Sequence, residues 1–225
     1  MATVSPVTQQ IASCQRGNTG KPGNVDIQMS DIEGCLLYNR WGASTTFKSL
    51  FQNNKAIIIF VRSFLCHTCK EYVDDLSKVP RDILRDAGVR LIVIGQSSYR
   101  HIEPFCSLTG YPHEIYVDPE RKIYQKLGMR RGETFMEAAS KSPHVKSGLF
   151  VGSLRSAWRA MTSPAFDFQG DPLQQGGALI VGPGPEVHFA HFDMNRLDHM
   201  PINWLLQLAG LHTVDFSGQP KIIDI

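Results

Sequence analysis

The sequence lacks the features that mark several classes of function. Lys and Arg total 23 against 21 Asp and Glu, for a formal net charge of +2, and no long basic block is present. The electrostatic footprint of a nucleic-acid binder is therefore absent. The start, "MATVSPVTQQIASCQRGNTGKPGN", has no apolar segment of the secretory type. The strongly apolar run Ala56 to Val61 is far too short to span a bilayer. No lipidation motif is recognisable. These absences predict a soluble protein without a membrane span, cytosolic or both cytosolic and nuclear. There are five cysteines, an odd number: Cys14, Cys35, Cys66, Cys69 and Cys106. A structural disulfide framework does not fit a chain of 225 residues with that count.

What is present is ordinary globular material, 42% hydrophobic and 20% charged, enough for a real core. Residues 1–24 are polar and Gly/Pro-rich and are expected to form a flexible tail. "CLLYNRWG" reads as a short strand and turn. "TTFKSLFQN" reads as a short helix capped by Thr45 or Thr46, with Phe47, Leu50 and Phe51 inward. "KAIIIFVRS" is β-branched and continuously apolar, as a strand buried on both faces should be. From Cys69 onward, Tyr72, Val73, Leu76 and Val79 recur at helical spacing, and Lys70, Glu71, Asp74, Asp75 and Lys78 take the other face. "VRLIVIGQS" and "HEIYVDPE" are further strands, separated by a helix at "HIEPFCSLTG" and followed by one at "ERKIYQKLG". Alternating strands and helices predict crossovers and a mainly parallel central sheet.

Residues 129–175 break that rhythm and read as an insertion. It carries one amphipathic helix, Leu149 to Met161, with Trp158 on its apolar stripe. "GALIVGPGPEVHFAHFD" is a hairpin, and "MPINWLLQLAGL" closes the domain with a helix. His188 and His191 on the second hairpin strand point to opposite faces, which argues against a joint metal site. Residues 25–211 are thus expected to form one domain, with 212–225 as a C-terminal extension.

The cysteine pair sits where the buried strand ends and a helix begins. Amides of a helix first turn and the positive end of its dipole favour a thiolate. Cys66 is accordingly expected to be the exposed nucleophile, and Cys69, one turn on, the more buried resolving thiol. His67, if cationic, would lower the thiol pKa. Arg62 would supply positive charge to the site or pair with Asp74 or another acid. Zinc is the rival reading of the pair, but a structural site needs four ligands and no second pair is available. Cys35 and Cys106 lie among apolar residues and read as packing residues, and Cys14 as an incidental exposed thiol.

A strand ending in Cys-x-x-Cys before a helix, followed by βαβα, a hairpin and a helix, resembles the thioredoxin fold. The segments "FVRSFLCHTCKEYVDDL", "LIVIGQSSYRHIEPFCSLTGYPHEIYVDPERKIY", "FDFQGDPLQQGG" and "NRLDHMPIN" more specifically resemble the peroxiredoxin-like 2 family, with its AhpC/TSA antioxidant-enzyme domain. The resemblance implies an α/β, three-layer fold with a mixed central sheet flanked by helices. It also implies thiol-dependent reduction of a hydroperoxide or another small oxidised molecule, with no bound cofactor or metal. Thioredoxin or glutathione would return the electrons. B-type relatives imply a prostaglandin-like endoperoxide as an alternative substrate. A third reading is a non-enzymatic redox module that switches a surface for a protein partner. Peroxiredoxins carry Pro-x-x-x-Thr-x-x-Cys; here Ser63 stands at the Thr position and Ile59 at the Pro position. Where thioredoxins place a cis-proline, this chain has Gly176-Gly177.

Overall fold

Residues 27–132, 143–144 and 170–216 are described by the computed structural model. The architecture is organised by the apolar run Ala56 to Val61. It forms the central strand β3 (Lys55–Phe60), following a short helix α1 (Met29–Ile32) and two short strands, β1 (Leu36–Tyr38) and β2 (Ser44–Thr46). After β3 come α2 (His67–Leu76), α3 (Arg81–Asp86), β4 (Val89–Gly95), α4 (Ile102–Thr109), β5 (Glu114–Val117) and α5 (Lys122–Lys126). The described chain ends with β6 (Gly177–Val181), β7 (Val187–Phe192) and α6 (Ile202–Leu208). The sheet order is β2-β1-β5-β4-β3-β6-β7. The β3/β4 and β4/β5 pairs are parallel and the other four antiparallel, so the sheet is mixed, as the resemblance implied. It is not mainly parallel, because the short strands β1 and β2 and the β6–β7 hairpin add antiparallel pairs at both edges.

Side chains alternate along a strand, so one apolar run feeds two cores. Ile57, Ile59 and Val61 face the layer of α2, α4 and α6, where Tyr72, Val73, Phe105 and Leu205 pack. Ala56, Ile58 and Phe60 face the opposite layer, built from Phe47, Phe51, Ile123 and Tyr124. Full burial on both sides explains why the strand reads as continuously apolar rather than alternating. Cys35 and Cys106 are buried, in agreement with their packing role.

Three local expectations change. Ser44–Thr46 forms an edge strand rather than a helix start, and only a 3₁₀ turn, Phe47–Leu50, follows. Thr46 makes no side-chain cap, and Thr45 Oγ1 instead shares a 2.6 Å hydrogen bond with Ser49 Oγ. Phe47, Leu50 and Phe51 are nevertheless fully buried. The segment "RDILRD" after Pro80 is a helix that the sequence pattern did not single out. Finally, α2 has no solvent face: Lys70, Glu71, Asp74 and Asp75 are buried along with its apolar residues.

His144 lies against the charged face of α2 at Asp75. His144 Nδ1 lies 2.9 Å from Asp75 Oδ2, and its Nε2 accepts from the Ile202 amide at 3.1 Å. A sequence pattern that shows an amphipathic helix cannot show a distant segment folding back over its polar side. The insertion is closed at its base by pairing of its two ends. Gly132 N donates to Leu173 O, and Gln175 N to Arg130 O. The expected helix at 149–161, the tail at 1–24 and residues 217–225 lie outside the described residues.

Candidate functional site

The site begins where β3 runs out. Val61 N still donates to Ile94 O, and the chain then turns through Arg62 to Leu65. Ser63 makes this turn: its Oγ accepts from Leu65 N at 3.1 Å and its carbonyl accepts from Cys66 N at 3.1 Å. Phe64 stacks on Phe105 with ring centroids 4.3 Å apart. Its ring also lies against Gly95, where an added Cβ would stand 2.5 Å from the ring. The turn is therefore pressed onto the sheet, with Gly95 leaving the room. Ile59, at the peroxiredoxin proline position, is inside the ladder between Val93 of β4 and Ala178 of β6. A proline there would remove a ladder donor, so the central strand accounts for its absence.

Cys66 immediately precedes α2, and Cys69 lies in the first turn of that helix. Cys66 is partly buried, whereas Cys69 is wholly buried, and both are free thiols. Arg62 Nη1 lies 3.7 Å from Cys66 Sγ. The guanidinium is held by two carbonyls of the returning chain: Nη2 donates to Pro172 O at 2.7 Å and Nε to Gln174 O at 3.3 Å. Gln96 ties the same two segments together, donating to Arg62 O and to Asp171 O and accepting from Asp171 N. Thr68 Oγ1 is 3.1 Å from Cys66 Sγ.

These surroundings pull the two thiols apart. The Cys66 pKa falls well below that of an ordinary thiol. A hydrogen bond from the Cys69 thiol is the largest cause; burial opposes it; the Arg62 charge and the Thr68 hydroxyl add to it. The Cys69 amide adds least of these. Cys69 moves well up, because burial disfavours its thiolate and Cys66 takes the negative charge first. Lys70, also buried, is pulled down by burial, while both sulfurs oppose that change.

Arg62 thus stands beside the sulfur, where the first of its two expected roles would place it. His67 lies beside Glu71, with Nε2 3.5 Å from its carboxylate, and is not among the groups that lower Cys66. Ser63 shapes the turn. Two residues that sequence reasoning missed complete the site. His199 Nε2 is 4.0 Å from Cys69 Sγ, and His199 Nδ1 is 2.8 Å from Asp193 Oδ2. Both are buried. Nothing in their spacing marks them; they reach Cys69 because β7 and the following loop return beside α2. Gly176, at the place of the thioredoxin proline, opens this corner: a Cβ there would stand 2.0 Å from Phe60 O and 3.3 Å from Asp193 Oδ2.

Among the described residues, no group of three or more His, Cys, Asp or Glu side chains is placed to hold a metal ion. No described helix is long and apolar enough to cross a membrane.

Comparison with known proteins places this geometry in a family. Residues 75–195 match the AhpC/TSA antioxidant enzyme family; the matched segment begins inside α2, after both cysteines. The chain is 61% identical to Peroxiredoxin-like 2C of Takifugu rubripes, over 100% of this chain and 99% of that relative. It is 29% identical to the prostamide/prostaglandin F synthase of Aquarana catesbeiana, over 88% of this chain and 94% of the other. Peroxiredoxin Q of Xanthomonas campestris shares the fold, with a TM-score of 0.53 at 12% identity, over 80% of this chain and 90% of that one. With a thioredoxin-like sheet, a paired thiol at the end of its central strand and these full-length relatives, the chain belongs to the peroxiredoxin-like 2 family of AhpC/TSA proteins.

Proposed function

We propose that the protein is a thiol oxidoreductase that reduces a hydroperoxide or another small oxidised molecule. Cys66 is the nucleophile and Cys69 the resolving thiol. The observation that carries this reading is the asymmetry of the pair: a guanidinium 3.7 Å from Cys66 Sγ favours a thiolate there, while burial keeps Cys69 protonated. A thiolate is the reactive form of cysteine. It would attack one oxygen of the O–O bond, leaving Cys66 as a sulfenic acid and releasing an alkoxide that takes up a proton. Cys69 would then displace water from that sulfur to close a disulfide. A dithiol system such as thioredoxin, or glutathione, would return the two electrons.

Arg62 has a second part in this scheme. Its Nη1, 3.7 Å from Cys66 Sγ, would hold the peroxide as well as charge the sulfur. The test is peroxide-dependent NADPH consumption coupled to thioredoxin and its reductase. The wild type should turn over and Cys66→Ser should fall by at least about 10³-fold, the scale on which losing a nucleophile acts. Equal rates in the two proteins would sink the proposal.

A second substrate class is favoured by one observation, the 29% identity to a protein named as a prostamide/prostaglandin F synthase. The same dithiol would open the O–O bond of a lipid endoperoxide. A higher kcat/KM for an endoperoxide than for hydrogen peroxide would select this reading.

A further inference from the structure

Cys69 has the harder task of the two thiols. It must lose a proton before it can attack Cys66, yet it is wholly buried. The group that meets its sulfur is His199, with Nε2 at 4.0 Å. The ring is not free to turn away. Its Nδ1 is tied to Asp193 Oδ2 at 2.8 Å, and its face lies against Tyr72, with centroids 4.9 Å apart. The Tyr72 hydroxyl donates to Met200 O at 2.6 Å, and the Asp193 amide donates to Gly176 O at 3.1 Å. A carboxylate bound at one ring nitrogen fixes what the other nitrogen can do. Here it aims Nε2 at sulfur.

We propose that His199 is the proton-exchange partner of Cys69, and that Asp193 positions it. This rests on the reading of Cys66 and Cys69 as nucleophile and resolving thiol. During resolution, the Cys69 S–H proton passes to Nε2, the S–S bond forms and the Cys66 S–O bond breaks. Nε2 hands that proton to the departing hydroxide, which leaves as water, so the proton count balances. On reduction of the disulfide, Cys69 leaves as the thiol by taking a proton that the ring has regained from solvent.

The charges around the ring make the timing work. His199 feels Asp193 and Asp198 from the chain after β7, His191 through their shared Asp193, Cys69 and Tyr72 from α2, and Cys66 and Arg62 from the turn. Burial disfavours its charge, but Asp193 and the Cys66 thiolate outweigh burial, and its pKa is raised. The ring therefore holds its proton more tightly while Cys66 is a thiolate. Oxidation of Cys66 removes that negative charge and leaves Arg62 opposing the imidazolium. The hold on the proton then weakens, so the free base is more populated at the step that needs one.

The test uses the full chain and an artificial oxidant, dithiobis(nitrobenzoate). Cys66 attacks it to form a mixed disulfide; Cys69 then closes on Cys66 and expels the second thiolate. Quenched samples analysed by mass spectrometry separate adduct formation from closure. In His199→Gln, adduct formation should stay within about threefold of wild type, while closure at pH 7 slows about 10²-fold, the usual worth of a positioned base. Closure should also become steeply pH-dependent, rising about tenfold per pH unit where the wild type is nearly flat. Asp193→Asn should shift the profile the same way by about tenfold, and it supplies the reading if His199→Gln does not fold. Unchanged closure and an unchanged profile, after normal adduct formation, would overturn the proton relay alone. Failure of wild-type Cys66 to form the adduct would overturn the thiolate reading, and the relay with it.

Discussion

Cys66 and Cys69 stand one helical turn apart, and their surroundings are opposite in kind. Cys66 is a partly buried residue whose sulfur meets the charged end of Arg62, a hydroxyl and the other thiol. The sulfur of Cys69 is enclosed and meets an imidazole backed by a carboxylate. Part of this difference comes from α2 itself, since the Cys69 thiol is the largest cause of the fall at Cys66 and the Thr68 hydroxyl adds to it. The rest comes from burial, which raises Cys69, and from Arg62, held by residues 172–174 at the end of the insertion. A dithiol motif gives the spacing of the sulfurs; burial and the Arg62 charge help decide which one ionises.

That comparison can be broken from either side. The largest effect is expected at Gly176, which shapes only the Cys69 corner. Gly176→Ala places a Cβ 2.0 Å from the Phe60 carbonyl, a backbone atom that cannot yield. It should cost about 3 kcal/mol, the upper end for overpacking. Urea unfolding measures this, and a change below about 0.5 kcal/mol would show that β6 can move away freely.

The next effect lies beside the Asp193–His199 pair. His191 sits near Asp198 and Asp193, each 3.6 Å away. Burial opposes its charge, yet the two carboxylates raise its pKa to about 9. The unfolded value is about 6.5. A raised folded value stabilises the protein fully below about pH 6.5, and the contribution is lost as pH climbs through about 9. The wild type should therefore lose about 3 kcal/mol over that interval. His191→Gln should flatten the slope, as read by denaturant midpoints at each pH. Parallel pH profiles for the two proteins would contradict the assignment.

The smallest effect sharpens the Cys66 side. Arg62→Gln removes the charge. Alkylation of Cys66 at pH 7 should slow about tenfold, the equivalent of one pKa unit. Arg62 also favours the Cys69 thiolate, so Cys69 should stay the slower of the two. An unchanged rate at Cys66 would show that the guanidinium does not set its reactivity.

Much of this molecule is legible in its sequence, and the reasons differ by element. β3 declares itself because it is buried on both faces, and β6 and β7 because the Gly182-Pro183-Gly184-Pro185 turn divides them. The cysteine pair is visible because its spacing is local. The short helix Arg81–Asp86 is not, since only Leu84 of its six residues is buried and no apolar stripe forms. The burial of Asp75 is illegible for another reason: His144, which meets its carboxylate, is far away in the chain. His199 and Asp193 share that difficulty. Each is an ordinary loop residue by sequence, and only the return of the chain beside Cys69 gives it a role.

The central claim is that one thiol of the pair is poised as a thiolate and the other is held protonated. Rates of alkylation at Cys66 and Cys69, followed by mass spectrometry from pH 5 to 10, test it most directly. The account predicts a midpoint for Cys66 well below the ordinary thiol value of about 8.5, and one for Cys69 well above it. Two midpoints both near 8.5 would contradict it.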